Sequence, residues 1–153
     1  MHIEQKLKDM GLELPPVPKP LANYVTVTRS GNLLFLAGHV PVRDGKMQYV
    51  GKLGRDLAVE DGYKAAQMVT VNALASIKAE IGDLDKVMRI LKVVGFVNSA
   101  DGFTDQPKVI NGCSDLLGEV FGEAGKHARS AVGVSELPAN AAVEIEMIVE
   151  IAG

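Results

Sequence analysis

The stretch HARSAVGVSELPANAAVEIEMIVEI, residues 127–151, decides the fold of this 153-residue chain. In its second half, apolar Val143, Ile145, Met147, Val149 and Ile151 alternate with Glu144, Glu146, Ile148 and Glu150. A period of two marks a strand with one buried face. The first half, residues 128–134, is small and β-branched and reads as another strand, with residues 135–140 as the break between them. A hairpin centred on Leu137 and Pro138 would set Arg129 opposite Glu146 and Ala131 opposite Glu144, unless a bulge shifts the register by one. One cation and two carboxylates would then share a sheet face. Such a cation is either structural glue or a carboxylate receptor beside a water-activating base.

Upstream, residues 87–97 (VMRILKVVGFV) are dense in branched apolar residues and predict a strand covered on both faces. Two helices flank it. In residues 60–81, Ala65, Ala66, Val69, Ala73, Ile77 and Ile81 form an alanine-rich stripe. Glu60 and Asp61 suit its N-terminus and Gly82 its stop, and Asn72 at the stripe's edge reads as half exposed. In residues 104–121, Val109, Ile110, Cys113, Leu116, Leu117, Val120 and Phe121 form a second stripe, with Thr104 or Asp105 as cap and Pro107 in the first turn. Near the start, residues 23–29 and 33–38 read as a hairpin joined by Ser30-Gly31-Asn32. A third, loosely defined strand falls at residues 47–50. Three strands, helix, strand, helix and two strands predict an α+β fold, a mixed sheet with both helices on one face.

Ile3, Leu7 and Met10 predict a short amphipathic helix, and Pro15, Pro16, Pro18 and Pro20 an extended connector. Residues 1–20 thus read as an arm, and residues 21–153 as one domain. A formal charge of −3 offers no basic field for nucleic acid. Cys113, the one cysteine, cannot form an internal disulfide. No signal-peptide pattern or membrane-length apolar run is present, so a cytoplasmic, soluble protein is the expectation.

His2, His39 and His127 lack ligand spacing, so no metal site is expected. Cys113 lies on a helical apolar stripe and reads as core. No nucleophile elbow or phosphate loop is present. Arg129 has small neighbours, Ala128, Ser130 and Ala131, which leave room over a guanidinium able to grip a carboxylate with two hydrogen bonds. The residues alone leave open whether its partner is a ligand or Glu144 or Glu146. Gly38, before His39-Val40-Pro41, reads first as a strand end that needs no side chain.

Arg129-Ser-Ala-Val, Leu137-Pro and Val143-Glu-Ile-Glu146 together resemble the C-terminal signature of the RidA/YjgF family of enamine/imine deaminases. Gly38-His-Val-Pro41 resembles that family's Gly-Gln-x-Pro segment, with His39 for the glutamine. Phe103, Val109, Asn111 and Phe121 loosely match a further family pattern that places Asn111 in the site. The resemblance spans residues 20–152, and short members lack so long a lead-in. It implies a chorismate-mutase-like fold and a homotrimer with inter-subunit sites.

The resemblance also implies roles. Arg129 binds the substrate carboxylate and Glu144 handles the attacking water, with Glu146 structural. Tyr24, Gly38, Asn111 and Ala131 line the pocket, the last standing where deaminating members have a cysteine. The expected substrates are small carboxylates such as 2-aminoacrylate, and no cofactor is required. A non-catalytic 2-oxo-acid-binding protein is the rival reading. A nuclease, reported for some relatives, fits poorly with the acidic balance.

Overall fold

Residues 2–17 and 23–153 are described in a computed structural model of the chain. Pro18 and Pro20, in the expected connector, lie outside those residues. The elements run α1 (His2–Asp9), β1 (Val27–Ser30), β2 (Leu33–Leu36), β3 (Val42–Arg43), β4 (Lys46–Met47), α2 (Val59–Ile81), β5 (Val87–Asn98), α3 (Gln106–Phe121), β6 (Ala128–Val134) and β7 (Val143–Ile151). α1 is anchored by Leu7, which is buried in the core, while the backbone N–H groups of His2 and Ile3 each donate to Asp85 at 2.8 Å.

β7 follows its alternation. Val143, Ile145, Met147, Val149 and Ile151 are buried, and Glu144, Glu146, Ile148 and Glu150 face the other way. The sheet order is β1-β2-β7-β5-β6, antiparallel except for the parallel β5–β6 pair. The fold is the expected mixed sheet with α2 and α3 on one face. These helices touch closely at Gly112, where a Cβ would lie 2.1 Å from the Tyr63 carbonyl oxygen, so only glycine permits this approach. α2 opens with Asp61 accepting from the Ala58 N–H at 2.9 Å, and it stops at Gly82 as predicted.

The expected hairpin between β6 and β7 does not form. β5 lies between them, pairing Val93 with both Arg129 and Met147, and Phe96 with both Val132 and Glu144. Two physical reasons combine. The β5–α3–β6 unit is a crossover, which makes its strands parallel neighbours. Eight residues, 135–142, then separate β6 from β7, more than a tight hairpin holds. Asn98, at the end of β5, pins this connection by donating to Asn140 Oδ1 at 3.0 Å and the Ala141 carbonyl at 3.1 Å.

Three smaller expectations also change. The third strand is a separate two-stranded ribbon of β3 and β4, set earlier than residues 47–50 because Asp44 and Gly45 form its turn at positive φ. Tyr24 precedes β1 instead of beginning it. β5 is covered on the helix side only, since Val94 and Phe96 stay partly exposed on the open face. That face also carries Phe35, Val132 and Ile148, with Phe35 41 % and Val132 43 % exposed.

Candidate functional site

A cleft of about 1000 Å³ opens beside the start of β7, lined by Tyr24, Thr26, Gly38, His39, Asn72 and Glu144, with Arg43 and Asp44 from the ribbon. Pro15, Pro16 and Val17 of the arm form part of its wall. Glu144 enters across Gly38. A Cβ built on Gly38 would sit 2.1 Å from Glu144 Oε2, so the missing side chain is the space the carboxylate occupies. The backbone bonds between His39 and Ile145, 2.8 and 2.9 Å, lock these two segments together. Gly38→Ala is therefore expected to cost about 1–3 kcal/mol in overpacking. It should also lower any Glu144-dependent turnover about a hundredfold through misplacement of the carboxylate. Melting curves and steady-state kinetics on one preparation check both.

Half-burial raises the pKa of Glu144 above the usual carboxylate range, and repulsion from Glu146 adds to it. A carboxylate that holds a proton more tightly is a better base. His39, by contrast, is structural. It is 4 % exposed, its Nδ1–H donates to the Ala37 carbonyl at 2.7 Å, and its Nε2 accepts from Ser76 Oγ–H at 2.8 Å. Burial lowers its pKa from the ordinary 6.5. The unfolded chain then binds the proton more readily, so this stabilisation is complete above pH 6.5 and lost as pH falls towards the folded value. His39 should therefore contribute a fall in melting temperature from pH 7 to pH 5, and His39→Gln should remove that contribution.

Arg129, Asn111 and Ala131 gather elsewhere. Arg129 Nη1 donates to Asn111 Oδ1 at 2.8 Å and to Ser114 Oγ at 3.1 Å, both on α3. Ser114 in turn meets His127 Nε2 at 2.8 Å, and His127 Nδ1–H donates to the Gly125 carbonyl at 2.6 Å. Neither Glu144 nor Glu146 pairs with Arg129, so the salt-bridge alternative fails. Directly paired residues share a face, so Arg129, level with Val93 and Met147, lies on the helix side, while Glu144, level with Phe96, lies on the open side. Two strands at ~4.8 Å and three residues at ~3.4 Å put their Cα atoms roughly 14 Å apart. Within one chain the residues expected to share a site thus fall into two separate groups, Glu144 with Gly38 and Tyr24, and Arg129 with Asn111 and Ala131.

Sequence reasoning missed Arg43, Ser114 and His127, and it misplaced Asn72. Asn72 is 1 % exposed, held by Nδ2–H bonds to the Val40 and Val42 carbonyls at 3.0 and 2.9 Å. Cys113 is core as predicted, its thiol pushed up to about 11 by burial.

A family model described as "YjgF/chorismate_mutase-like, putative endoribonuclease" matches residues 4–151. The chain belongs to the YjgF/RidA family. Protein TCP17 of Trypanosoma cruzi is 42 % identical over 151 residues, covering 98 % of this YjgF/RidA chain and 94 % of that protein. A Dermatophagoides farinae protein named 2-iminobutanoate/2-iminopropanoate deaminase is 31 % identical over 140 residues, 92 % of this chain and 94 % of its own. The crystal structure of Atu1372 from Agrobacterium tumefaciens superposes with a TM-score of 0.93 at 48 % identity, covering 99 % of this chain and 93 % of that one. Ala131 stands where the resemblance implies a cysteine. Its methyl packs on the core from the helix side.

Proposed function

We propose that this YjgF/RidA chain hydrolyses enamine- and imine-type intermediates of 2-amino acids to 2-oxo acids and ammonia. The observation that carries the reading is the Glu144 carboxylate, half-buried in a cleft, with raised proton affinity and seated against the bare backbone of Gly38. The 31 % identical relative named as such a deaminase supports it.

The imine carbon is already electrophilic, so the chemistry needs a water, a proton route and an anchor. Glu144 takes a proton from water as the oxygen bonds to the imine carbon and the C=N electron pair moves to nitrogen. It returns that proton to nitrogen, giving a carbinolamine. Glu144 then accepts the hydroxyl proton and passes it to nitrogen. The C=O bond forms as the C–N bond breaks, releasing ammonia. Arg129 anchors the substrate carboxylate with its charge-assisted fork, its orientation set by Asn111 and Ser114.

The placement of Glu144 and Arg129 on opposite faces of one sheet supports a site completed by Arg129 of a second copy. A ring of three copies accomplishes this while covering the apolar open face around Phe35, Phe96 and Val132. The test is ammonia release from imines generated in place by an amino-acid oxidase. Wild type should accelerate hydrolysis and Arg129→Ala should abolish the acceleration. No acceleration on any imine would leave the chain a carboxylate-binding protein.

A further inference from the structure

Arg129 commits only part of its hydrogen-bonding capacity within the chain, and all of that part is at one nitrogen. Nη1 carries two hydrogens, which Asn111 Oδ1 at 2.8 Å and Ser114 Oγ at 3.1 Å take. Among the described residues nothing accepts from Nε or Nη2, and neither nitrogen is sealed from solvent. Nε–H and one Nη2–H point the same way, so this open edge matches a carboxylate with two parallel bonds. Asn111 and Ser114 stand three residues apart on one face of α3. Which edge Arg129 presents therefore depends on how firmly those two oxygens are aimed.

Asn111 aims an amide oxygen, which only accepts. A serine hydroxyl also carries a hydrogen, and within a helix it can turn to the carbonyl four residues back, that of Ile110 here. His127 draws that hydrogen elsewhere. A carbonyl can only accept, so the 2.6 Å contact with Gly125 commits His127 Nδ1–H and leaves Nε2 a lone pair for Ser114 at 2.8 Å. The Ser114 hydrogen then goes to His127, and the lone pairs of its oxygen are left for Arg129. The Gly125 carbonyl is itself fixed. Gly125 is buried, and a Cβ there would lie 2.1 Å from the Leu117 carbonyl oxygen of α3. The loop, the histidine and the helix thus close a ring of contacts around Ser114.

We infer that His127 is a positioning residue for carboxylate binding, acting through Ser114 to hold Arg129 with its Nε and Nη2 edge free. This rests on the reading of Arg129 as the substrate anchor, and it adds the group that aims the anchor. A mere tie between loop and helix would need no hydroxyl shared with Arg129.

The experiment is calorimetric titration of the assembled protein with 2-oxobutanoate, a stable carboxylate of the product class. His127→Gln sets an amide oxygen near the place of Nε2 and keeps an acceptor for Ser114. His127→Asn reaches only as far as Nδ1 and loses that acceptor. Kd should rise about tenfold in His127→Asn and stay within about threefold of wild type in His127→Gln. Ser114→Ala should match His127→Asn, and it reads the same link where the histidine variant fails to fold. A His127→Asn or Ser114→Ala protein that binds as wild type does overturns the assignment. So does a His127→Gln protein as weak as His127→Asn, or a wild type that binds no 2-oxobutanoate. Ammonia release from imines is read separately. Binding that depends on His127 without ammonia release refutes the deaminase reading alone, and ammonia release with binding indifferent to His127 refutes the assignment alone.

Discussion

Arg129→Ala and Glu144→Ala chains, unfolded together in equal amounts and refolded, will regain about a quarter of the imine hydrolysis proposed for the wild type. Each variant refolded alone should stay at about 1 % or less, because each lacks one required group. The recovery follows from the sheet. Arg129 belongs to the row of Val93 and Met147 on the helix side, and Glu144 to the row of Phe96 on the open side. That separation favours a site shared between two copies. If the site joins Arg129 of one copy to Glu144 of the next, random mixing gives the Arg-bearing partner about half the time and the Glu-bearing partner about half the time, so about one site in four is intact. A site complete within one chain predicts no recovery. Refolding is the necessary control step, since simple mixing leaves each assembly pure unless subunits exchange.

The same rows explain what the sequence could and could not say. β7 was legible because its period of two is a local property, and its burial follows that period residue by residue. Helices α2 and α3 were legible for a similar reason. The neighbour of β6 was not, because strand order is set by the crossover through α3, and no periodicity within β6 or β7 records what lies between them. Asn72 illustrates a second limit. Residues 69–77 of α2 are all buried, so the helix has no solvent stripe there against which a polar residue could be judged. Arg43 sits in a ribbon two residues wide whose sequence reads as turn, and only the fold carries it to the Glu144 cleft. Among the expected site residues, Gly38 was read first as a strand end. Its contact with Glu144, more than a hundred positions away, is visible only in three dimensions.

Glu144→Gln should lower kcat by about a hundredfold to ten-thousandfold while leaving KM within a few-fold, the pattern of a group that acts on protons in the transition state. It should also leave the protein at least as stable at pH 7. Burial and Glu146 raise the folded pKa of Glu144, so the native state favours the protonated carboxyl, and its stability rises as pH falls through that raised value. A neutral glutamine removes the unfavourable charge at pH 7, so melting temperature and activity should move in opposite directions. The wild-type rate should fall as pH drops through the pKa of Glu144, since only the carboxylate can accept a proton from water. Glu146→Gln provides the sharper check. Removing its charge takes away the second cause of the shift and leaves the first, desolvation, in place. The acidic limb should therefore move to lower pH without reaching the value of an exposed glutamate. A limb unmoved by Glu146→Gln would assign the essential ionisation to another group.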